Sequence, residues 1–222
     1  MIRRILSFAA GLFWSAAALL LTVYLLCAAP GVMTKAMRAV APEAETGLPD
    51  AEYPGVCGVI CGYLTGKTDT FQYAFTDDAG VERLCFNSTE QLHMEDCRGL
   101  IALDGTLCLI CVSAGLGLSL MCLRRKTLRA WRFGLLFPLL PVAAAVIWAA
   151  IDFTGLFFLF HRLAFTNELW LLDWRTCLLI RLMPEELFIF YGIAGVLMWF
   201  ILLAAAMLVT GKVRYRNENS RA

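Results

Sequence analysis

Long uncharged stretches alternate with short charged ones along this chain. Four apolar runs stand out, from about Ile5 to Ala29, Leu100 to Leu123, Phe133 to Ile151 and Leu187 to Thr210, and the single charge inside them is Asp104. Each is close to the roughly 20 helical residues needed to cross a bilayer's hydrocarbon core, so four transmembrane helices are expected. The first run is longer than the apolar core of a signal peptide and reads as a retained anchor. Cys27-Ala28-Ala29 offers small residues for cleavage, yet bulky Leu26 stands where a lipoprotein cysteine would follow a small residue.

Between the runs lie two polar segments, 30–99 and 152–186. In the first, Tyr53 to Leu64 is apolar and glycine-rich, and Thr70 to Phe86 reads as two short strands about the turn Asp77-Asp78-Ala79-Gly80. Asn87 as N-cap with Glu90 three residues on approximates a capping box, the start of a helix that can run through Gly99 into the second span. In the second, Phe153 to Phe165 is too short to span and too aromatic for a solvated loop, which predicts an interfacial or re-entrant helix. Trp170 and Trp174 suit the aromatic belt at the membrane surface. Pro184-Glu185-Glu186 suits a helix start, with acids near the positive end of the dipole. The expected fold is a single all-α integral membrane domain over 1–222, with a small, partly β extracytoplasmic loop region.

Composition agrees: 60% of residues are hydrophobic and 17% charged, against about 25% in a soluble domain. The net charge of +1 hides a strong asymmetry. Residues 1–4, 124–132 and 211–222 hold 11 of the 19 Lys and Arg with one acid, Glu218, whereas 30–99 carries eleven acids against five bases. Basic flanks stay in the cytoplasm, so both termini and the loop Arg124-Arg125-Lys126…Arg129…Arg132 are expected inside, and both long segments outside. No basic stripe with interleaved aromatics points to nucleic acid. Five of the nine cysteines (Cys57, Cys61, Cys85, Cys97, Cys177) fall in the outer segments, where either one or two disulfides or buried free thiols are compatible with the spacing.

Candidate chemistry centres on the chain's two histidines, His93 and His161, both in outer segments near a predicted membrane surface. On a helix from residue 88, His93, Cys97, Leu100 and Asp104 share a face, and Asp96 lies three residues from His93. Ionisable groups at membrane depth usually face a protein interior or a wet cavity, so an imidazole with carboxylates is one reading. The other is that Asp96 and Asp104 mark the end of a span. Phe157, His161, Phe165 and Glu168 share a second face beside Arg162, and Asn167 could donate to an oxyanion or cap the turn before Trp170. The sequence lacks GxSxG, HExxH, Walker and GxGxxG motifs.

Two blocks carry a family resemblance. Phe86-Asn87-Ser-Thr-Glu90-Gln-Leu-His93-Met94-Glu-Asp96 closes the first outer segment, and Phe160-His161-Arg-Leu-Ala-Phe165-Thr-Asn167-Glu-Leu-Trp170 lies in the second. Together they resemble the bacterial lipoprotein intramolecular transacylase (Lit) family, whose members carry H-M-x-D-V and F-H-x-x-F-F-x-N-x-x-W. Cys97 stands in place of Val, Ala164 in place of an aromatic, Trp174 in place of Pro and Cys177 in place of Asp. The resemblance implies an enzyme of the bacterial cytoplasmic membrane that moves the sn-2 acyl chain of a diacylglyceryl lipoprotein to the α-amine of its N-terminal cysteine, giving the lyso form. No cofactor or metal is implied, and the partners are the diacylated lipoprotein and the phospholipid bilayer.

Ester-to-amide transfer runs downhill without ATP, and amine and ester already share one molecule, so positioning can supply much of the rate. The chemistry still needs a base for the α-amine, an acid for the glycerol oxygen and donors for an oxyanion. The expected assignment is His93 as base, oriented by Asp96 or Asp104, with His161 aided by Asn167 or Arg162. Trp170 and Glu90 are expected to support the site, and the two histidine roles are interchangeable at this stage. Competing readings are a non-enzymatic accessory protein, tolerant of change at both histidines, and a metal-assisted lipid hydrolase, sensitive to chelators.

Overall fold

The computed structural model describes residues 1–77, 79–124 and 130–219. Asp78 of the expected turn, and Arg125, Lys126 and Arg129 of the basic loop, lie outside the described residues. In chain order the elements are α1 (Ile2–Cys27), α2 (Pro30–Val40), α3 (Glu43–Thr46), a 3-10 turn (Asp50–Glu52), α4 (Tyr53–Leu64), strands β1 (Ala74–Thr76) and β2 (Glu82–Leu84), α5 (Ser88–Arg124), α6 (Trp131–Leu136), α7 (Leu139–Ile151), α8 (Phe153–Ala164), α9 (Leu178–Leu182) and α10 (Glu185–Asn219).

Four segments are long and apolar enough to cross a membrane: α1, α5 as far as Cys122, α6 with α7 (Trp131–Ile151), and α10 as far as Thr210. They coincide with the four apolar runs. Only 11% of the most apolar window of α5 is buried within the protein, so its remaining side chains need an apolar medium around them. The third span is interrupted after Leu136, where Pro138 lacks the N–H that would continue the helical ladder.

Contacts divide the chain into two compact units. The first comprises Met1–Val23, Gly105–Val146 and Ala194–Ala222. Its core is Ala10, Trp131, Leu135, Trp199 and Leu203. Here α1 and α6 approach through glycines: a Cβ on Gly11 would sit 2.0 Å from the Trp131 carbonyl oxygen, and one on Gly134 1.9 Å from that of Phe8. Small residues allow such backbone proximity between membrane helices. Buried Trp199 donates its indole N–H to the Ser15 carbonyl at 3.0 Å.

The second unit comprises Tyr24–Asp104 and Ile147–Ile193. Its core is built where α2 packs on α4, with Met37, Tyr53, Val56, Cys57 and Ile60 fully buried. The Tyr53 hydroxyl donates to the Ala41 carbonyl, tying the end of α2 to the start of α4. The two strands pair antiparallel, Ala74 opposite Leu84 and Thr76 opposite Glu82. Asp77 accepts from the Ala79 and Val81 N–H groups at the turn, and Gly80 takes the left-handed φ of 77° that a side chain would resist. Phe71 stacks on Phe86 at 4.3 Å below the hairpin.

The hairpin, the helix continuing from residue 88 into the second span, and the short aromatic helix were all expected. At 12 residues, α8 is about 18 Å long, well short of a crossing. Asp152 caps it, its side chain accepting from the Gly155 N–H at 2.8 Å. The helices α2, α3, α4 and α9 were not anticipated. None of the nine cysteines is joined in a disulfide, and Cys57, Cys61, Cys85 and Cys177 are buried as thiols that fill space.

Candidate active site

All the residues singled out in the sequence lie in the second unit. The site begins at the cap of α5. The Glu90 N–H donates to Asn87 Oδ1 at 3.0 Å and the Asn87 N–H to Glu90 Oε2 at 2.7 Å, the reciprocal pair of a capping box. Glu90 does more than close its own helix. Its other oxygen, Oε1, accepts from the Leu179 N–H at 2.6 Å, while Asn87 Nδ2 donates to the Thr176 carbonyl at 3.3 Å. At 1% exposure the carboxylate is enclosed, with a backbone donor on each oxygen. Glu90 therefore joins α5 to α9.

One turn along α5, His93 is buried at 8% exposure. Its Nε2 lies 3.5 Å from the Cys97 thiol, and its Nδ1 is buried without a partner. His161 faces it from α8 at the same low exposure, ring centroids 6.2 Å apart and planes tilted by 32°. Phe165 touches both rings, at 5.2 Å from His93 and 5.6 Å from His161. Phe157 and Trp170 pack against His161 at 4.1 and 5.0 Å. The His161 Nδ1 lies 2.7 Å from the Phe157 carbonyl oxygen. A carbonyl can only accept, so Nδ1 carries the hydrogen and Nε2 of the neutral ring is left with its lone pair. Burial holds the His161 imidazole below its usual range, partly offset by the Phe157 bond, which favours the protonated ring.

The remaining candidates separate clearly. Asp96 Oδ2 accepts from Asn167 Nδ2 at 2.8 Å, linking α5 to the turn after α8. Asn167 Oδ1 accepts from the Leu169 N–H, and its backbone carbonyl from Trp170 Nε1 at 2.9 Å. Asn167 is thus the cap of that turn, and it holds Trp170 beside His161, the two rings tilted by 34°. Arg162 points to the exterior. Asp104 shares the helix face of His93 but lies eleven residues away, about 16 Å along the axis at 1.5 Å per residue. Its Oδ2 is buried without a partner. Contrary to expectation neither carboxylate hydrogen-bonds His93: Asp96 bonds Asn167 through Oδ2, and Asp104 lies three turns along the helix. Cys97 and Phe165, which do touch His93, were visible only as residues on shared helix faces. Among the described residues no group of three or more His, Cys, Asp or Glu side chains converges as a metal-binding set.

The family model described as lipoprotein intramolecular transacylase Lit matches residues 8–188. The chain belongs to the Lit family. It is accordingly a membrane-integral transacylase, and both histidine blocks fall within the matched segment. The fold agrees with membrane-integral Lit from Bacillus cereus, at a TM-score of 0.80 and 16% identity, covering 99% of this chain and 98% of that one. Two Bacillus cereus Lit structures with a histidine replaced, by alanine in one and arginine in the other, give TM-scores of 0.76 and 0.70 at 18% identity, each covering 99% of this chain and 96% and 94% of theirs. Comparison with curated protein sequences gives no match.

Proposed function

We propose that this Lit-family chain moves the sn-2 acyl chain of a diacylglyceryl lipoprotein to the α-amine of its N-terminal cysteine, and that His161 and His93 carry the reaction. The observation that supports this best is the facing pair of buried imidazoles, one of which has its tautomer set by the Phe157 carbonyl. With Nδ1–H committed, His161 Nε2 is the acceptor for an amine proton. This favours His161 as base over the assignment made from sequence. As the nitrogen bonds to the ester carbon, Nε2 takes a proton from it; as the carbon–oxygen bond breaks, the same proton passes to the sn-2 oxygen. No net proton is consumed and no acyl-enzyme is required. His93 lies opposite and donates to the carbonyl oxygen as it gains charge. The rings of Phe157, Phe165 and Trp170 exclude water that would otherwise hydrolyse the ester. Asp96 and Asn167 act as positioning residues between the two histidine-bearing elements.

The placement of basic residues supports a topology with both termini in the cytoplasm and the histidine pair on the extracytoplasmic side, level with the glycerol esters of the outer leaflet. The test is expression in a bacterium lacking N-acylating enzymes, followed by mass spectrometry of one lipoprotein's N-terminus. N-acylated lyso-lipoprotein is expected with the wild-type chain, and unmodified diacylglyceryl-cysteine with His161→Ala or His93→Ala. Full conversion by both variants at normal expression would refute the assignment.

A further inference from the structure

The buried His93 ring has one nitrogen with a partner and one without. Its Nε2 lies 3.5 Å from Cys97 Sγ, and its Nδ1 is buried with no hydrogen-bond partner. His93 and Cys97 stand four residues apart on α5, the spacing at which helical side chains meet. Among the described residues, Nε2 is the one hydrogen-bond partner of this thiol. We propose that Cys97 is a positioning residue. Its S–H donates to His93 Nε2, which leaves the ring hydrogen on Nδ1, the donor that meets the carbonyl oxygen of the acyl group being transferred.

Which atom donates follows from the strengths of the two groups. A neutral thiol has one hydrogen to give, and its sulfur is a weak acceptor. The bare nitrogen of a neutral imidazole is the better acceptor, so S–H to Nε2 wins over Nε2–H to sulfur. A neutral ring that accepts at Nε2 carries its hydrogen at Nδ1. Buried without a partner, that N–H is poorly served in the resting protein. An arriving carbonyl oxygen satisfies it, most strongly as that oxygen gains charge. The opposite ring reaches the same tautomer by other means, its Nδ1–H held by the Phe157 carbonyl. The facing imidazoles then offer complementary atoms, a lone pair at His161 Nε2 and an N–H at His93 Nδ1. Those are the base and the oxyanion donor that ester-to-amide transfer needs. Cys97 stands where the family pattern has Val, a side chain with no hydrogen to donate, so the pattern itself does not supply this control.

The role in transfer rests on the transacylase reading, whereas the tautomer is measured without substrate. The full chain in detergent, reduced and isotopically labelled at its two histidines, is read by ring-nitrogen NMR at neutral pH, with signals assigned through His161→Ala. His93 is expected to show a protonated Nδ1 and a bare Nε2. Cys97→Val should move the hydrogen toward Nε2 and lower kcat about tenfold with KM little changed, because the substrate binds as before but its oxyanion loses a fixed donor. Cys97→Ser keeps an O–H at the same place, and should restore the Nδ1–H signal and most of the rate. Should Cys97→Val fold poorly, the wild-type spectrum and Cys97→Ser still decide. Nε2–H on His93 in the wild type, or a folded Cys97→Val chain unchanged in spectrum or in kcat, overturns the proposal. A wild-type chain with Nδ1–H on His93 that forms no lyso-lipoprotein would instead refute the transacylase reading and leave the thiol's hold on the ring standing.

Discussion

At the scale of single residues, hydrogen-bond chemistry distinguishes groups that the sequence left equivalent. From sequence either histidine could serve as base, but the carbonyl beside His161 Nδ1 leaves only Nε2 to accept a proton. Because burial lowers the His161 value, the ring remains neutral to a lower pH than an ordinary imidazole. The enzyme's acid limb in the pH–rate profile, distinct from that of the substrate amine, is therefore expected below the usual value of about 6.5. The stability sign follows the same shift. Above about 6.5 the ring is neutral both folded and unfolded, so it adds no pH dependence there. As pH falls the unfolded ring is protonated first, and stability declines until the folded ring is protonated too. Transacylation rates between pH 5 and 8 provide the check. The substrate α-amine contributes its own limb at about 7.7–8.0, and a second limb, belonging to the enzyme and lost in His161→Ala, at or above about 6.5 would contradict the base assignment. Removing the ring by His161→Ala should cost about 10²–10⁴-fold in rate, measured as lyso-lipoprotein formed per unit time. Glu90 belongs to a different class of residue. Glu90→Gln puts an amide NH2 against one of two backbone donors, a mismatch worth about 1–3 kcal/mol, measurable by thermal unfolding.

At the scale of elements, sequence periodicity was informative about faces and silent about distances. Helical spacing placed His93, Cys97 and Asp104 on one side of α5, and they are so placed. Yet Asp104 is three turns from His93, because a shared face fixes an angle and not a height. The capping box was legible because its two residues are three apart and local chemistry decides it. The Asp96–Asn167 contact was not, since its partners are 71 residues apart and only tertiary packing unites them. Nor was α4, whose glycines lower helix propensity and whose apolar residues show no clean stripe; burial on nearly every side holds it helical. If Asp96 and Asn167 position the histidines jointly, Asp96→Ala and Asn167→Ala should each slow transacylation, and the double variant should slow it little further. Additive losses in this cycle would show that the two act separately.

At the scale of the whole molecule, hydropathy carried most of the architecture. Four spans and the family were legible, because length, polarity and the two histidine blocks are all properties of the linear chain. Sidedness is open to a direct measurement. In intact cells an impermeant label should react at a cysteine introduced at Gly47, which is exposed at the end of α3, and should fail to reach one introduced at residue 2 until the membrane is opened. Labelling in the opposite sense would invert the proposed orientation. Finally, the bond from Leu179 to Glu90 has a consequence for biosynthesis. Its partners are separated by 89 residues, so at about 5–20 residues per second the glutamate emerges roughly 5–20 s before its second donor exists. Until then one carboxylate oxygen is served only by water, and His93 has no opposing ring for much of that interval. If the histidine pair carries the reaction as proposed, a nascent chain already threaded into the membrane is chemically silent. On that proposal activity switches on late in translation, once the last outer segment has been delivered to the helix made long before it.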